Sequence, residues 1–135
     1  MYSGFLIKIG NYEFPMKYIV EQSYDVTPHQ RQDEEPWRNA DGELNREVLE
    51  NMPTSITFST IGGMTNLEVA EIFRQIHNNY VNEKERKVLV TFYNPETDDY
   101  PDPAYMYLPN LHFPIDYIDG AAVYYNEITI ELVGY

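Results

Sequence analysis

Apolar positions along the chain alternate, switch to a helical period, and then alternate again. Phe5-Leu6-Ile7-Lys8-Ile9 reads as a strand, Gly10-Asn11 as a two-residue turn and Tyr12-Glu13-Phe14 as the return, a β-hairpin pattern. Pro15 removes a ladder donor, which puts the return strand at a sheet edge. Tyr18-Ile19-Val20 and Ser23-Tyr24-Asp25-Val26 read as extended up to Thr27-Pro28. Ser55 to Thr60 alternates cleanly and predicts a half-buried strand, broken by Gly62-Gly63.

The period then changes. Thr65-Asn66-Leu67-Glu68 matches a capping box, in which Thr65 and Glu68 each satisfy an orphan backbone donor. Met64 before the cap and Val69 after it suit a hydrophobic staple. Val69, Ile72, Phe73, Ile76 and Tyr80 follow as one apolar stripe, opposite Glu71, Arg74, Gln75 and Asn78. These residues predict a helix over about 66–81 whose stripe is core.

Alternation returns in Val88 to Tyr93, rich in strand formers, and in Tyr105 to Leu108. Between them, Asn94 to Pro103 is a turn-forming loop. Leu111, Phe113, Ile115 and Tyr117 alternate with polar or proline positions, Asp119-Gly120 turns the chain, and Val123 to Tyr125 and Ile128 to Val133 complete it. About eight strands and one helix define a mainly β, α+β chain. The expected architecture is an antiparallel β-sandwich or barrel flanked by a single helix.

Pro28 to Pro53 breaks this rhythm. It is polar, turned at Asp41-Gly42, and carries the chain's one Trp. It is longer than an idle connection in a compact domain. Trp and Arg are the residue types most enriched at binding hot spots, so the segment is read as a protruding arm with a contact surface. Against this stands the plain reading of a surface loop whose Trp tucks onto its own core.

Composition narrows the classes. A length of 135 residues fits one domain, 1–135, with the arm at about 28–53. Aromatic residues make up 15%, too rich for a chain unable to bury itself. No apolar run reaches the roughly 18 residues of a membrane span, and Met1 to Phe5 lacks the basic start of a signal peptide. No cysteine is present, which excludes disulfides and thiolate metal sites and fits a reducing cytosol. The net charge of -13 argues against simple binding to DNA or an anionic membrane. All nine basic residues precede Val88, whereas Glu96, Asp98, Asp99, Asp102, Asp116, Asp119, Glu127 and Glu131 follow it. Basic residues of the first part can thus meet acidic ones of the second across subunits.

Catalytic and metal motifs are sparse. His29, His77 and His112 form no helical ligand pair. Gly62-Gly63 lacks the Lys-Ser/Thr of a phosphate loop, and no Gly-x-Ser-x-Gly elbow occurs. Glu96, Asp98, Asp99 and Asp102 are dense in oxygen, but their spacing is not an EF-hand and reads as solvated turn acids. Tyr100, Tyr105, Tyr107, Tyr124 and Tyr125 suit either an aromatic platform or interface and core area. No cofactor and no metal are expected.

Several strings resemble a family of phage and prophage tail proteins of Gram-positive bacteria. They are Tyr24 to Asp33, Asp41 to Leu49, Glu85 to Val88, Phe92 to Thr97, Ile115 to Gly120 and Ile130 to Tyr135. They are structural rather than catalytic strings, and the resemblance covers nearly the whole chain. It implies a tail-tube-like fold, similar to the N-terminal domain of distal tail proteins, closing into hexameric rings. It also implies a non-enzymatic virion protein made in the host cytoplasm, with its own copies and neighbouring tail proteins as partners. On that footing Arg31, Trp37, Arg38 and Arg46 are the subunit contacts. Glu127 and Glu131, which alternate opposite Ile128, Ile130 and Leu132, would face a lumen where DNA passes without sticking. Two other classes stay open. A carbohydrate-binding β-sandwich of a host-recognition apparatus needs a tyrosine-lined groove. A small cytosolic enzyme needs a pocket where His and carboxylates converge.

Overall fold

The first hairpin forms because Gly10 takes a φ of +59°, the left-handed conformation that only glycine adopts freely. It joins β1 (Ile7–Ile9) to β2 (Tyr12–Glu13), with Ile9 opposite Tyr12. The computed structural model describes residues 1–28 and 53–135, together with the backbone of 33–38 and 44–48. After β2 the chain departs from expectation. Met16–Tyr18 and Glu21–Ser23 are short 3-10 turns, while the extended pairing expected of 18–20 survives as a bridge of Ile19 to Thr60, with Val20 N–H on the Ser59 carbonyl and Ile61 N–H on the Tyr18 carbonyl, both at 2.9 Å. Each turn is closed locally, by Ile19 N–H on the Met16 carbonyl and Tyr24 N–H on the Glu21 carbonyl. Local i→i+3 bonds have taken donors that a strand would have offered to a neighbour.

β3 (Asp25–Thr27) leads into the arm. There β4 (Asp33–Arg38) and β5 (Leu44–Val48) pair antiparallel, with Asp33 opposite Val48 and Arg38 opposite Leu44. The register slips between Glu34 and Trp37, where Pro36 has no N–H to give. A segment read as loop therefore contains a two-stranded ribbon. Arg31 lies outside the described residues. Trp37 and Arg38 stand in β4 and Arg46 in β5, and for these only the backbone is described.

The rest follows as β6 (Ser55–Ser59), β7 (Met64–Thr65), α1 (Asn66–Asn78), β8 (Lys87–Phe92), β9 (Ala104–Tyr107), β10 (Ile115–Asp119), β11 (Ala122–Tyr125) and β12 (Thr129–Gly134). The capping box is present: Glu68 N–H donates to Thr65 Oγ1 at 3.3 Å, and Thr65 N–H to Glu68 Oε1 at 3.2 Å. Val69, Ile72, Phe73 and Ile76 are the buried stripe. The helix ends at Asn78, three residues before the expected Val81. Asn79 is the reason. Its Nδ2 donates to the Gln75 carbonyl at 2.8 Å, while its Oδ1 accepts the Asn11 N–H at 3.0 Å. The first turn of the chain and the last turn of the helix are thus pinned by one amide. No helix among the described residues is long and apolar enough to cross a membrane.

Seven strands form one antiparallel sheet in the order β2-β1-β8-β9-β12-β6-β3. A second sheet runs β10-β11-β7, and the ribbon β4-β5 is a third. The fold is therefore a multi-strand antiparallel sheet with one helix, as expected. The barrel half of the expectation is not met, because β2 and β3 stand at opposite edges and do not pair. The large sheet coils without closing. Phe14, just past β2, meets Phe58 of β6 edge-to-face at 5.1 Å, so the two ends of the sheet share one core. That core holds Ile7, Ile9, Ile56, Phe58, Val88, Val90, Met106, Ile130 and Leu132 from the sheet with the helical stripe.

Candidate functional site

Strands β8, β9, β12, β6 and β3 turn alternate residues away from the core. The register aligns Lys87, Tyr107, Val133, Ser55 and Thr27 in one row across all five. At one end of this row the tyrosines gather. Lys87 Nζ lies 4.7 Å from the Tyr105 ring centroid and 4.9 Å from that of Tyr135. Tyr107 and Tyr135 meet edge-on at 5.5 Å.

Glu85 completes the cluster from the turn before β8. That turn is built on Asn82, whose Oδ1 accepts the Glu85 N–H at 3.2 Å and whose Nδ2 donates to Glu85 Oε2 at 2.8 Å. Arg86 passes through a φ of +54° and its Nη1 donates to the Pro109 carbonyl at 3.0 Å. The other Glu85 oxygen accepts the Tyr135 hydroxyl at 3.3 Å. Glu85, Tyr107 and Tyr135 line an open hollow of about 250 Å³. Partial desolvation and the Glu85 charge both hold the Tyr135 phenol above its ordinary range. The arrangement offers two aromatic rings and an oriented carboxylate, the groups that hold an organic cation or a sugar.

A second surface is β10. Among the described residues it pairs only with β11, so its other edge has no described strand partner. All five of its residues are exposed, with Ile115 at 54%, Tyr117 at 52% and Ile118 at 65%. Phe113, before it, rests on Phe73 at 5.0 Å, and Tyr117 stacks on Tyr124 at 4.5 Å. An edge this apolar is a template for strand addition unless something covers it.

The chain belongs to DUF6711. The model of this family, described as a family of unknown function, matches residues 1–135. No curated protein and no solved structure matches the chain.

In this DUF6711 chain the sequence-derived candidates are scattered. The five tyrosines read as either an aromatic platform or interface and core area fall into separate groups. Tyr105 and Tyr107 join the Glu85 cluster, Tyr100 stacks on Phe5 at 4.5 Å, Tyr124 stacks on Tyr117, and Tyr125 packs against the core. The acidic loop does not converge either. Asp98 accepts the Tyr93 hydroxyl at 2.7 Å, and Asp99 accepts the Tyr100 N–H at 2.9 Å, which lowers its pKa. Among the described residues no three His, Asp or Glu gather as a metal site would need. His77 stacks on Tyr80 at 5.0 Å, and His29 lies outside the described residues. Glu127 and Glu131 are exposed, while Ile128, Ile130 and Leu132 are fully buried, as the alternation requires. Through the register Glu131 faces Thr57, which faces Asp25, so acids stand at both ends of that row.

Glu85, Lys87 and Tyr135 went unnoticed as a group from sequence. Lys87 and Glu85 read as a charged lead-in, and Tyr135 as a terminal residue. Only the pairing of β9 with both β8 and β12 brings them together.

Proposed function

We propose that this chain is a non-enzymatic structural subunit of a phage tail, forming a ring at the tail tube or its distal end. The observation that carries the reading is the open edge of β10, with Ile115, Tyr117 and Ile118 exposed along it. Solvent is a poor partner for such an edge, and a neighbouring copy removes the hazard by extending the sheet. The outer edges of β2 and β3, without a strand partner among the described residues, offer the same route for the larger sheet. In this reading the two sheets and the helix act as a tail-tube-like sandwich, and six copies close the ring. Arg31, Trp37, Arg38 and Arg46 of the arm grip neighbouring subunits, with other tail proteins above and below. Glu127 and Glu131 line the lumen, where carboxylates keep DNA from adhering. The protein is made in the host cytoplasm and ends in the virion.

The test is the solution mass by light scattering, with negative-stain images of the same peak. A ring or stacked tube with an open centre supports the reading. A monomer at all concentrations, with or without tail partners, sinks it. The hollow beside Tyr107 and Tyr135 favours a second reading, a carbohydrate-binding module of a host-recognition apparatus. Glycan binding by a monomer would move the assignment there.

A further inference from the structure

One hydrogen bond fixes which way β10 offers its main-chain groups. Val123, opposite Ile118 in the β10–β11 ladder, donates its N–H to Asn66 Oδ1 at 3.1 Å, away from β10. In an antiparallel ladder, opposite residues either exchange both bonds or turn both sets of groups outward. Ile118 and Val123 are therefore an outward pair. The turn agrees: Asp119 and Ala122 close a two-residue loop in which Gly120 takes a φ of +60°, and the closing pair of such a loop is the bonded one. The Ile118 N–H and C=O thus point out of the sheet, where no strand among the described residues meets them. Its side chain is 65% exposed beside Ile115 and Tyr117. Outward main-chain groups flanked by apolar side chains suit a further strand.

The acids of β10 select the strand. Its sequence is Ile115-Asp116-Tyr117-Ile118-Asp119, without a basic residue. A second β10, antiparallel about a two-fold axis, takes a register set by the residue on the axis. Asp116 or Asp119 on the axis would place like charges directly opposite, which destabilises a pair of strands. Tyr117 on the axis would rely on the main chain of Asp116, the extra residue where β10 slips against β11. Ile118 on the axis meets neither obstacle. Its N–H and C=O then exchange bonds with those of Ile118 in the second copy. Tyr117 lies opposite Asp119, and Asp116 opposite Gly120. The strand is self-complementary in this register, with isoleucine on isoleucine at the centre and each acid opposite an uncharged residue. The edges of the large sheet suit it less: β2 has two residues and runs toward Pro15, and β3 has three and opens with an acid, Asp25.

We infer that β10 binds β10 of a second copy of this chain, antiparallel about a two-fold axis at Ile118. The inference rests on the reading that β10 meets another copy, and it names that copy's strand. This contact joins two copies and by itself closes no ring of six, which would need further edges. Five residues a side fall short of the roughly 20–30 of a standard interface, so the pair is weak. Two chains of net charge -13 also repel, so the pair should tighten as salt screens them.

The experiment combines sedimentation of the full chain at high concentration and high salt with cross-linking of single-cysteine variants. The chain has no cysteine of its own, so each variant carries one thiol. On the axis, the two Cα atoms of a bonded pair lie about 5.5 Å apart, inside the disulfide range of about 4.4–6.8 Å. Under mild oxidation Ile118→Cys should form a covalent dimer about tenfold faster than Asp116→Cys, which is also exposed but faces Gly120 of the second copy. Ile118→Pro removes the outward N–H and no bond to β11, so it should keep the far-ultraviolet circular dichroism and weaken association about tenfold or more. If that variant misfolds, the cysteine pair decides alone. A wild type that stays monomeric, or equal cross-linking at both positions, overturns the contact. A ring that assembles without cross-linking through Ile118 overturns it and leaves the ring reading standing. A dimer that cross-links at Ile118 and grows no further upholds the contact and counts against the ring. Strong hydrogen-exchange protection of the Ile118 amide in a monomer means that the same chain covers the edge, and the inference fails.

Discussion

The Tyr24 hydroxyl donates to the backbone carbonyl of Tyr93 at 2.8 Å, with the Leu6 carbonyl at 3.3 Å. Tyr24 leads into β3, one edge of the large sheet, and Tyr93 follows β8, near the other. One phenol therefore ties together sheet regions that the backbone ladder leaves apart. Burial pushes its pKa far above the ordinary tyrosine value, with the nearby Tyr100 adding to the shift. Replacing it with Phe strands the Tyr93 carbonyl and should cost about 1–2 kcal/mol, read as a melting temperature lower by roughly 5 °C. The sign of the pH effect follows. The folded state keeps the Tyr24 proton where the unfolded chain loses it, so this stability is whole below about pH 10 and declines above it. Denaturant melts from pH 9 to 11.5 should fall more steeply for wild type than for Tyr24→Phe. Equal slopes would show that the Tyr24 pKa does not differ between the folded and unfolded states.

Thr65→Ala should remove the capping box and cost about 1 kcal/mol. The Thr65 backbone N–H is the main reason the Glu68 pKa is lowered, opposed by slight desolvation and aided by the Thr65 hydroxyl. A lowered carboxyl pKa contributes stability that is present above its unfolded value and lost as pH falls through the folded one. Glu68→Gln, which removes the charge that this N–H stabilises, should therefore deviate most from wild type near neutral pH and converge toward it below about pH 4. A constant gap across that range would show that Glu68 takes no part.

Gly10→Ala meets two obstacles. The backbone there has a φ of +59°, and a Cβ would run into the Asn79 side chain. Asn79 could yield only by giving up its bonds to Asn11 and Gln75. A loss above about 2 kcal/mol is expected in chemical denaturation. Gly62→Ala, with nothing within 4 Å of its Cβ, should change stability by less than about 0.5 kcal/mol. If both variants behave alike, the pin between hairpin and helix is not a stabilising contact.

Ile118→Lys changes a residue that is 65% exposed on β10 and should leave the melting temperature within a degree or two. In the ring reading it should also abolish or sharply weaken self-association, because a charge on an edge strand blocks strand addition. Trp37→Ala should weaken assembly more than it lowers monomer stability. Unchanged assembly with a lowered melting temperature would make Trp37 a core residue instead.

Much of the fold was legible because its causes are local. The β1–β2 hairpin needs only Gly10 between two alternating runs, and the helix start needs only Thr65 and Glu68 three residues apart. The inward face of β12 follows from period-two alternation, and Ile128, Ile130 and Leu132 are buried accordingly. The misreadings share another cause. Tyr18 and Ser23 look extended by residue type, yet each ends a 3-10 turn, while the pairing about Ile19 stays extended. Helical spacing runs on to Val81, but Asn79 binds the distant Asn11 and stops the helix early.

By itself the sequence determined the elements, the polar and apolar sides of each, and a chain whose acids dominate its second half. Those properties depend on residues a few positions apart, where backbone geometry alone sets who meets whom. Only the tertiary structure decided that β9 lies between β8 and β12, that the large sheet does not close, and that β10 stands at the edge of its sheet among the described residues. It also decided that Glu85, Lys87, Tyr105, Tyr107 and Tyr135 share one patch. Such neighbours are up to fifty residues apart in the chain. Their meeting is set by how the whole core packs, and no local period records it.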